Sequence, residues 1–168
     1  MPDFLDEIAG CVPGLRRYAH ALTHDRDVAD DLVQDCLERA IRKKGLWRPQ
    51  GPLRPWLTRV LLNIYRNNLR DRRRRPVAVP IEDVAGELSV PAAQGGRLAL
   101  AEMARAIDQL SPEQREALLL VVVEGMSYSE AADVLGIPLG TLMSRLGRAR
   151  AALSRLTEGD EPKLRVIK

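Results

Sequence analysis

Cysteine is nearly absent from this chain. Cys11 and Cys36 are the two among 168 residues, too few for a disulfide framework or a zinc knuckle, and they point to a reducing cytosol. No stretch approaches the roughly 20 apolar residues of a membrane span, so no membrane partner is expected. The opening Met1-Pro2-Asp3-Phe4-Leu5-Asp6-Glu7 is acidic and lacks a basic n-region, so it does not read as a secretory signal. No segment alternates apolar and polar residues cleanly enough for a strand. His20 and His24 stand at helical i,i+4 spacing but without an HExxH-type context. No carboxylate cluster accompanies a basic stretch, as a nuclease would need. The expectation is therefore a protein with no metal, no cofactor and no catalytic constellation.

What the chain does have is segregated charge. Its 26 Lys and Arg against 23 Asp and Glu leave a formal net charge of only +3. Residues 1–38 hold 9 acids and 3 bases, and residues 39–75 hold 13 bases and the single acid Asp71. Residues 76–137 hold 10 acids and 3 bases, and residues 138–157 hold 4 arginines and no acid. Two basic blocks alternating with acidic ones suggest polyanion contact at two separated places and another partner for the acidic faces. The length allows one ordinary domain or two small ones. Pro76, Pro80 and Pro91, with Gly86 and Gly95-Gly96, mark residues 76–98 as a linker between region 1–75 and region 99–157. Residues 158–168 read as a tail. Everything periodic is helical, so the fold expected is all-α: two small helical domains and a flexible linker.

Helical geometry, at about 100° per residue, assigns faces. Along Asp30–Ile41, the residues Leu32, Val33, Cys36, Leu37 and Ala40 share a core arc. Cys36 then reads as a small buried hydrophobe and not as a reactive thiol. Asp31, Gln34, Asp35 and Glu38 share the opposite side, either a solvated face or a docking surface for a basic partner. Along Pro55–Arg75, the residues Trp56, Leu57, Val60, Leu61 and Ile64 form the core arc. Asn63, Arg66, Asn67 and Arg70 cluster elsewhere, with Arg59 alongside. Amides can bond base edges, and arginines bind phosphates or stack. The stretch closes in Arg72-Arg73-Arg74-Arg75, whose mutual repulsion calls for an anion such as nucleic-acid phosphate.

The C-terminal region carries two capping boxes, Ser111-Pro112-Glu113-Gln114 and Ser127-Tyr128-Ser129-Glu130. The first opens a helix to about Glu124, with Gly125 as its stop. The second opens a short Ala-rich helix, Glu130–Leu135. The turn Gly136-Ile137-Pro138 leads to a third helix from about Leu139 to Leu156, completing a helix-turn-helix pattern. On that helix Leu142, Leu146, Ala149 and Leu153 face inward. Thr141, Ser144, Arg145 and Arg148 share a donor-rich arc suited to a major groove. Arg150 falls nearer the core flank, which suits a phosphate or intramolecular role.

The ordered set resembles an extracytoplasmic-function sigma factor of the sigma-70 family, over about Leu15 to Leu156. Asp30-Asp31-Leu32-Val33-Gln34-Asp35-Cys36-Leu37 resembles region 2.2. Trp56-Leu57-Thr58-Arg59-Val60 to Asn63, with the Arg-rich stretch after it, resembles the promoter-reading part of region 2. Leu110 to Glu116 and Gly140 to Arg150 resemble region 4. Met143 and Gly147 depart from the family, where many relatives carry a basic or polar residue and a bulky or aromatic one.

The resemblance implies a non-catalytic specificity subunit that directs core RNA polymerase to promoters and supports their melting. Asp31, Gln34, Asp35 and Glu38 would dock on the clamp helices of the beta-prime subunit. Arg59, Asn63, Arg66, Asn67 and Arg70 would bind the −10 element. The loop Gly45–Pro55 would help form a pocket for a flipped base, with Trp47 as a stacking platform or else a plug of the core. Thr141, Ser144, Arg145 and Arg148 would read the −35 element, and region 4 would also meet the beta flap. It further implies a cytoplasmic protein restrained by an anti-sigma factor, with no sensing domain of its own. Two other readings are a helix-turn-helix regulator independent of polymerase and a sigma-like decoy that sequesters an anti-sigma factor.

Overall fold

The computed structural model describes residues 3–47, 51–75 and 94–158. Seven α-helices and one 3-10 turn are the regular elements among them. The first group is α1 (Phe4–Thr23), α2 (Arg26–Arg42) and α3 (Leu53–Arg74), with the 3-10 turn Lys44–Leu46 after α2. The reversal from α1 to α2 is tight. His24 takes a left-handed conformation and closes α1 onto the His20 carbonyl. Asp25 then caps α2, its carboxylate accepting from the amides of Asp27 at 2.9 Å and Val28 at 3.0 Å. Leu32, Val33, Cys36 and Ala40 are buried and Leu37 half-buried, as the helical period requires. Cys36 is fully buried and its Sγ lies 3.3 Å from the Leu57 carbonyl oxygen. Burial pushes its thiol up to about 12, so it stays protonated and unreactive.

The second group is α4 (Gln94–Asp108), α5 (Pro112–Val122), α6 (Tyr128–Leu135) and α7 (Leu139–Glu158). Both capping boxes are formed: Ser111 with Gln114, and Ser127 with Glu130. Each satisfies two helix-end donors and contributes about 1 kcal/mol. Gly136 ends α6 at φ +66°, a conformation that side chains resist. This lets α7 turn back across α6 with Leu142, Leu146 and Ala149 buried. Gly125 also has positive φ, one turn beyond the end of α5.

Three expectations need correction. Helix α4 begins at Gln94, inside the stretch 76–98 read as linker; Gly95 and Gly96 are helical despite their cost, and residues 76–93 lie outside the described residues. Helix α7 runs on to Glu158, beyond Leu156. The buried arc of α3 is also wider than its period suggests. Leu57, Leu61 and Ile64 are buried, while Trp56 and Val60 are only half-buried, and Thr58, Leu62 and Tyr65 are buried as well. Tyr65 is buried toward α1, its hydroxyl donating to the Leu22 carbonyl at 3.3 Å. Besides α1 and α2, helix α3 packs against α6, and α1 packs against α5. The two helical groups thus share one continuous apolar core.

Candidate nucleic-acid interface

Helix α2 offers the acidic face. Asp31, Gln34, Asp35 and Glu38 are all exposed. Glu38 leans toward Arg42 at 3.7 Å, an i,i+4 contact worth little in water. Asp31, Gln34 and Asp35 make no side-chain hydrogen bond or ion pair among the described residues. The apolar arc anchors the helix from behind, so this face stays open to solvent, with Glu38 alone of the four paired among the described residues.

Helix α3 carries the basic candidates, and the structure divides them. Asn63, Asn67 and Arg70 are exposed and share one face. Its last turn adds Arg72, Arg73 and Arg74, where the helix dipole favours cations. Arg59 and Arg66 point elsewhere. The Arg59 guanidinium donates to the Asp133 carbonyl at the end of α6. Arg66 grips Glu116 of α5 with two bonds, Nη2 to Oε2 at 2.6 Å and Nε to Oε1 at 3.2 Å. That bidentate bond to a carboxylate raises the Arg66 pKa above its ordinary value.

Trp47 follows the 3-10 turn and packs against the core. Its ring lies 5.3 Å from that of Phe4, tilted by 43°, and its indole Nε1 is buried without a bond among the described residues. Lys44 Nζ sits 5.0 Å over the Phe4 ring. The half-buried ring thus packs on the core of the first helical group.

Helix α7 carries the third set. Thr141, Ser144 and Arg148 are exposed and Arg145 half-buried, on the side away from Leu142, Leu146 and Ala149. The first turn of α7 has no acid. Arg150 donates to the Tyr128 hydroxyl at 2.7 Å, tying α7 to the start of α6. Met143 is 53% exposed beside Ser144. A Cβ placed on Gly147 would meet nothing within 4 Å. There is thus room for a larger side chain, and this glycine costs only helix propensity, about 1 kcal/mol relative to Ala.

Five residues that sequence reasoning passed over hold the two groups together. Glu116 and Glu124 are 4% and 1% exposed. Glu124 is met by Arg54 Nε at 3.0 Å. Arg115 Nη2 reaches the Tyr65 hydroxyl at 3.3 Å. One signal was available: Glu116 and Glu124 flank the apolar run Ala117–Val123, where a carboxylate needs a partner. Their partners lie 50 and 70 residues away and leave no local trace.

Known proteins place these surfaces in context. The family described as Sigma-70, region 4 matches residues 100–153. The family described as the Sigma2 domain of PhyR matches residues 8–62. The chain is 40% identical over 155 residues to the ECF RNA polymerase sigma factor EcfG of Rhodopseudomonas palustris, covering 90% of this chain and 83% of that one. Among solved structures it resembles the sigma factor RpoE in complex with the anti-sigma factor NepR from Bartonella quintana. The TM-score is 0.76 at 34% identity, over 96% of this chain and 100% of that one. It also resembles CnrH in complex with the cytosolic domain of CnrY, with a TM-score of 0.67 at 32% identity, over 92% and 86% of the two chains.

Proposed function

This chain belongs to the extracytoplasmic-function RNA polymerase sigma factors of the sigma-70 family, and from that membership we propose how its faces divide the work. The protein directs core RNA polymerase to specific promoters, recognises −10 and −35 elements and supports promoter melting. Region 2 spans 1–75 and contains α1 to α3; region 4 spans 99–157 and contains most of α4 and the helix-turn-helix; 76–98 connects them. The observation that carries the residue assignment is the segregation of exposed charge by helix. An exposed acidic face lies on α2, an Asn/Arg face on α3, and an acid-free donor face on the first turns of α7.

In this reading Asp31, Gln34, Asp35 and Glu38 dock on the basic clamp helices of the beta-prime subunit. Asn63, Asn67 and Arg70, with Arg59 and Arg66 once released from α6 and α5, bind the −10 element. Thr141, Ser144, Arg145 and Arg148 read the −35 duplex. Trp47 supports the loop that would receive a flipped base. Region 4 also meets the beta flap. RpoE of Bartonella quintana is bound by the anti-sigma factor NepR, and CnrH by the cytosolic domain of CnrY; we extend an anti-sigma partner to this chain. No described helix is long and apolar enough to cross a membrane, and a cytoplasmic location follows from the polymerase it serves.

Transcription from a promoter library with core polymerase tests the assignments together. Asp35→Lys is expected to weaken core binding at least about tenfold, a coupling of more than about 1.4 kcal/mol, with no change in helix content. Unchanged affinity for core would remove α2 as the docking face. Arg148→Ala is expected to lose about 1–3 kcal/mol of discrimination at one −35 position. A loss spread evenly over all promoters would reassign Arg148 to phosphate.

A further inference from the structure

Helix α7 presents a long apolar side chain among its exposed donors. Its core arc is Leu142, Leu146 and Ala149, all buried. At about 100° per residue, Met143 stands roughly 100° from Leu142, and Ser144 roughly 100° farther on. Met143 therefore lies on one flank of the exposed face, with Ser144 near its middle and Thr141 on the other flank. It is 53% exposed, and Leu139, one turn earlier on the same flank, is 47% exposed. Burial in the core does not account for this methionine. Two features keep its flank clear. A helical side chain leans over the turn that precedes it, so a bulky residue at 147 would cover Met143. Gly147 leaves it uncovered, and a Cβ there would meet nothing within 4 Å. The cation on the same flank, Arg150, is committed elsewhere: it donates to the Tyr128 hydroxyl at 2.7 Å.

We propose that Met143 is a specificity-determining residue of α7: it packs on the 5-methyl group of a thymine in the major groove of the −35 duplex. The inference rests on the reading of α7 as the −35 helix and adds an apolar contact to its hydrogen-bond donors. The exposed methionine is continuous with the donor face of Thr141, Ser144 and Arg148, so whatever that face meets, Met143 meets at its edge. The chemistry then narrows the choice. Phosphates and the nitrogen and oxygen edges of bases seek hydrogen bonds, which a thioether chain supplies poorly. The thymine methyl is the apolar group that the major groove displays. Methionine is unbranched and polarisable, so it follows such a methyl without demanding a single rotamer. A lysine or arginine at this position would reach for phosphate or guanine instead and leave the methyl unread. The preference arises from what this chain has at 143 and lacks at 147.

The test uses the full-length protein with core polymerase, on a duplex promoter that the wild-type protein selects from the library. Each thymine of its −35 element, on either strand, is replaced singly by deoxyuridine, which keeps the pairing and removes only the methyl. Binding is read by competition in fluorescence anisotropy. At one thymine, loss of the methyl is expected to weaken binding about fourfold, the equivalent of about 0.8 kcal/mol for one buried carbon group. Met143→Gln keeps the length and the helix propensity but makes the tip polar. It is expected to bind the thymine and uracil duplexes equally, while Met143→Leu keeps the preference for thymine. Both change an exposed side chain, so helix content and the urea midpoint should not move. Wild-type binding indifferent to uracil at every −35 thymine overturns the proposal. A thymine preference that survives Met143→Gln overturns it too. If Met143→Gln instead weakens the affinity for core and leaves that preference intact, the residue faces a protein and the proposal falls. Arg148→Ala separates these failures from the premise. Should it still lose discrimination at one −35 position while uracil changes nothing, the thymine contact alone fails. If no −35 base pair affects binding, the DNA reading of α7 fails with it.

Discussion

Replacing Arg66 by alanine is expected to break the docking of α5 on α3 while leaving both helical groups folded. Glu116 is 4% exposed and both of its oxygens bond to the Arg66 guanidinium. Removing the cation strands a charged carboxylate away from water. The cost of such a change is about 3–5 kcal/mol when the charge cannot escape. Here it can, because undocking the two groups returns Glu116 to solvent, so the docking free energy caps the penalty. Hydrogen exchange should show amides of α5 and the adjoining flank of α3 losing protection, with the interior of α1 and α2 unchanged. Equal loss in α1 and α2 would mean that Arg66 supports region 2 as a whole. Lysine should rescue little, since an ammonium cannot form the two-bond fork.

Replacing Leu142 by alanine is expected to cost about 2–5 kcal/mol of stability. Leu142 is fully buried on α7, and its neighbours Leu146 and Ala149 are buried with it. The cavity would lie under the turn that sets the angle of α7 against α6, and that angle aims Thr141, Ser144 and Arg148. Both the urea midpoint and −35 binding should therefore fall. Arg148→Ala is the informative contrast. It alters an exposed side chain, so its stability should move by no more than about 0.5 kcal/mol while promoter discrimination falls. A Leu142→Ala protein with an unchanged urea midpoint would show that α7 is held by other contacts.

The two small sets of faces differ in how far sequence could reach them. On α2 and α7 the apolar residues recur at helical spacing, and each helix buries a single stripe. The period alone then separates Leu32, Val33, Cys36 and Ala40 from Asp31 and Asp35, and Leu142 and Leu146 from Arg148. On α3 the same logic found Leu57, Leu61 and Ile64 but not Leu62, Tyr65 or Thr58. Thr58 is polar in type, yet it is buried with its hydroxyl donating to the Arg54 carbonyl at 2.9 Å. A period shows which positions share a side of a helix. It carries no information about a second neighbour arriving from elsewhere in the chain.

Charge followed the same division. By itself the sequence determined that the chain is helical, where its capped helices start, and that its near-balanced charge separates into basic and acidic surfaces. These are local properties, set by spacing, caps and turns within a few residues. Only the tertiary structure decided that Arg54, Arg59 and Arg66 meet Glu124, Asp133 and Glu116. It also decided that helix α4 reaches back to Gln94 and that Gly14 is where Glu124 needs space. Those pairings depend on how two amphipathic surfaces settle against each other, and residues 50 to 74 positions apart record nothing of it in their local pattern.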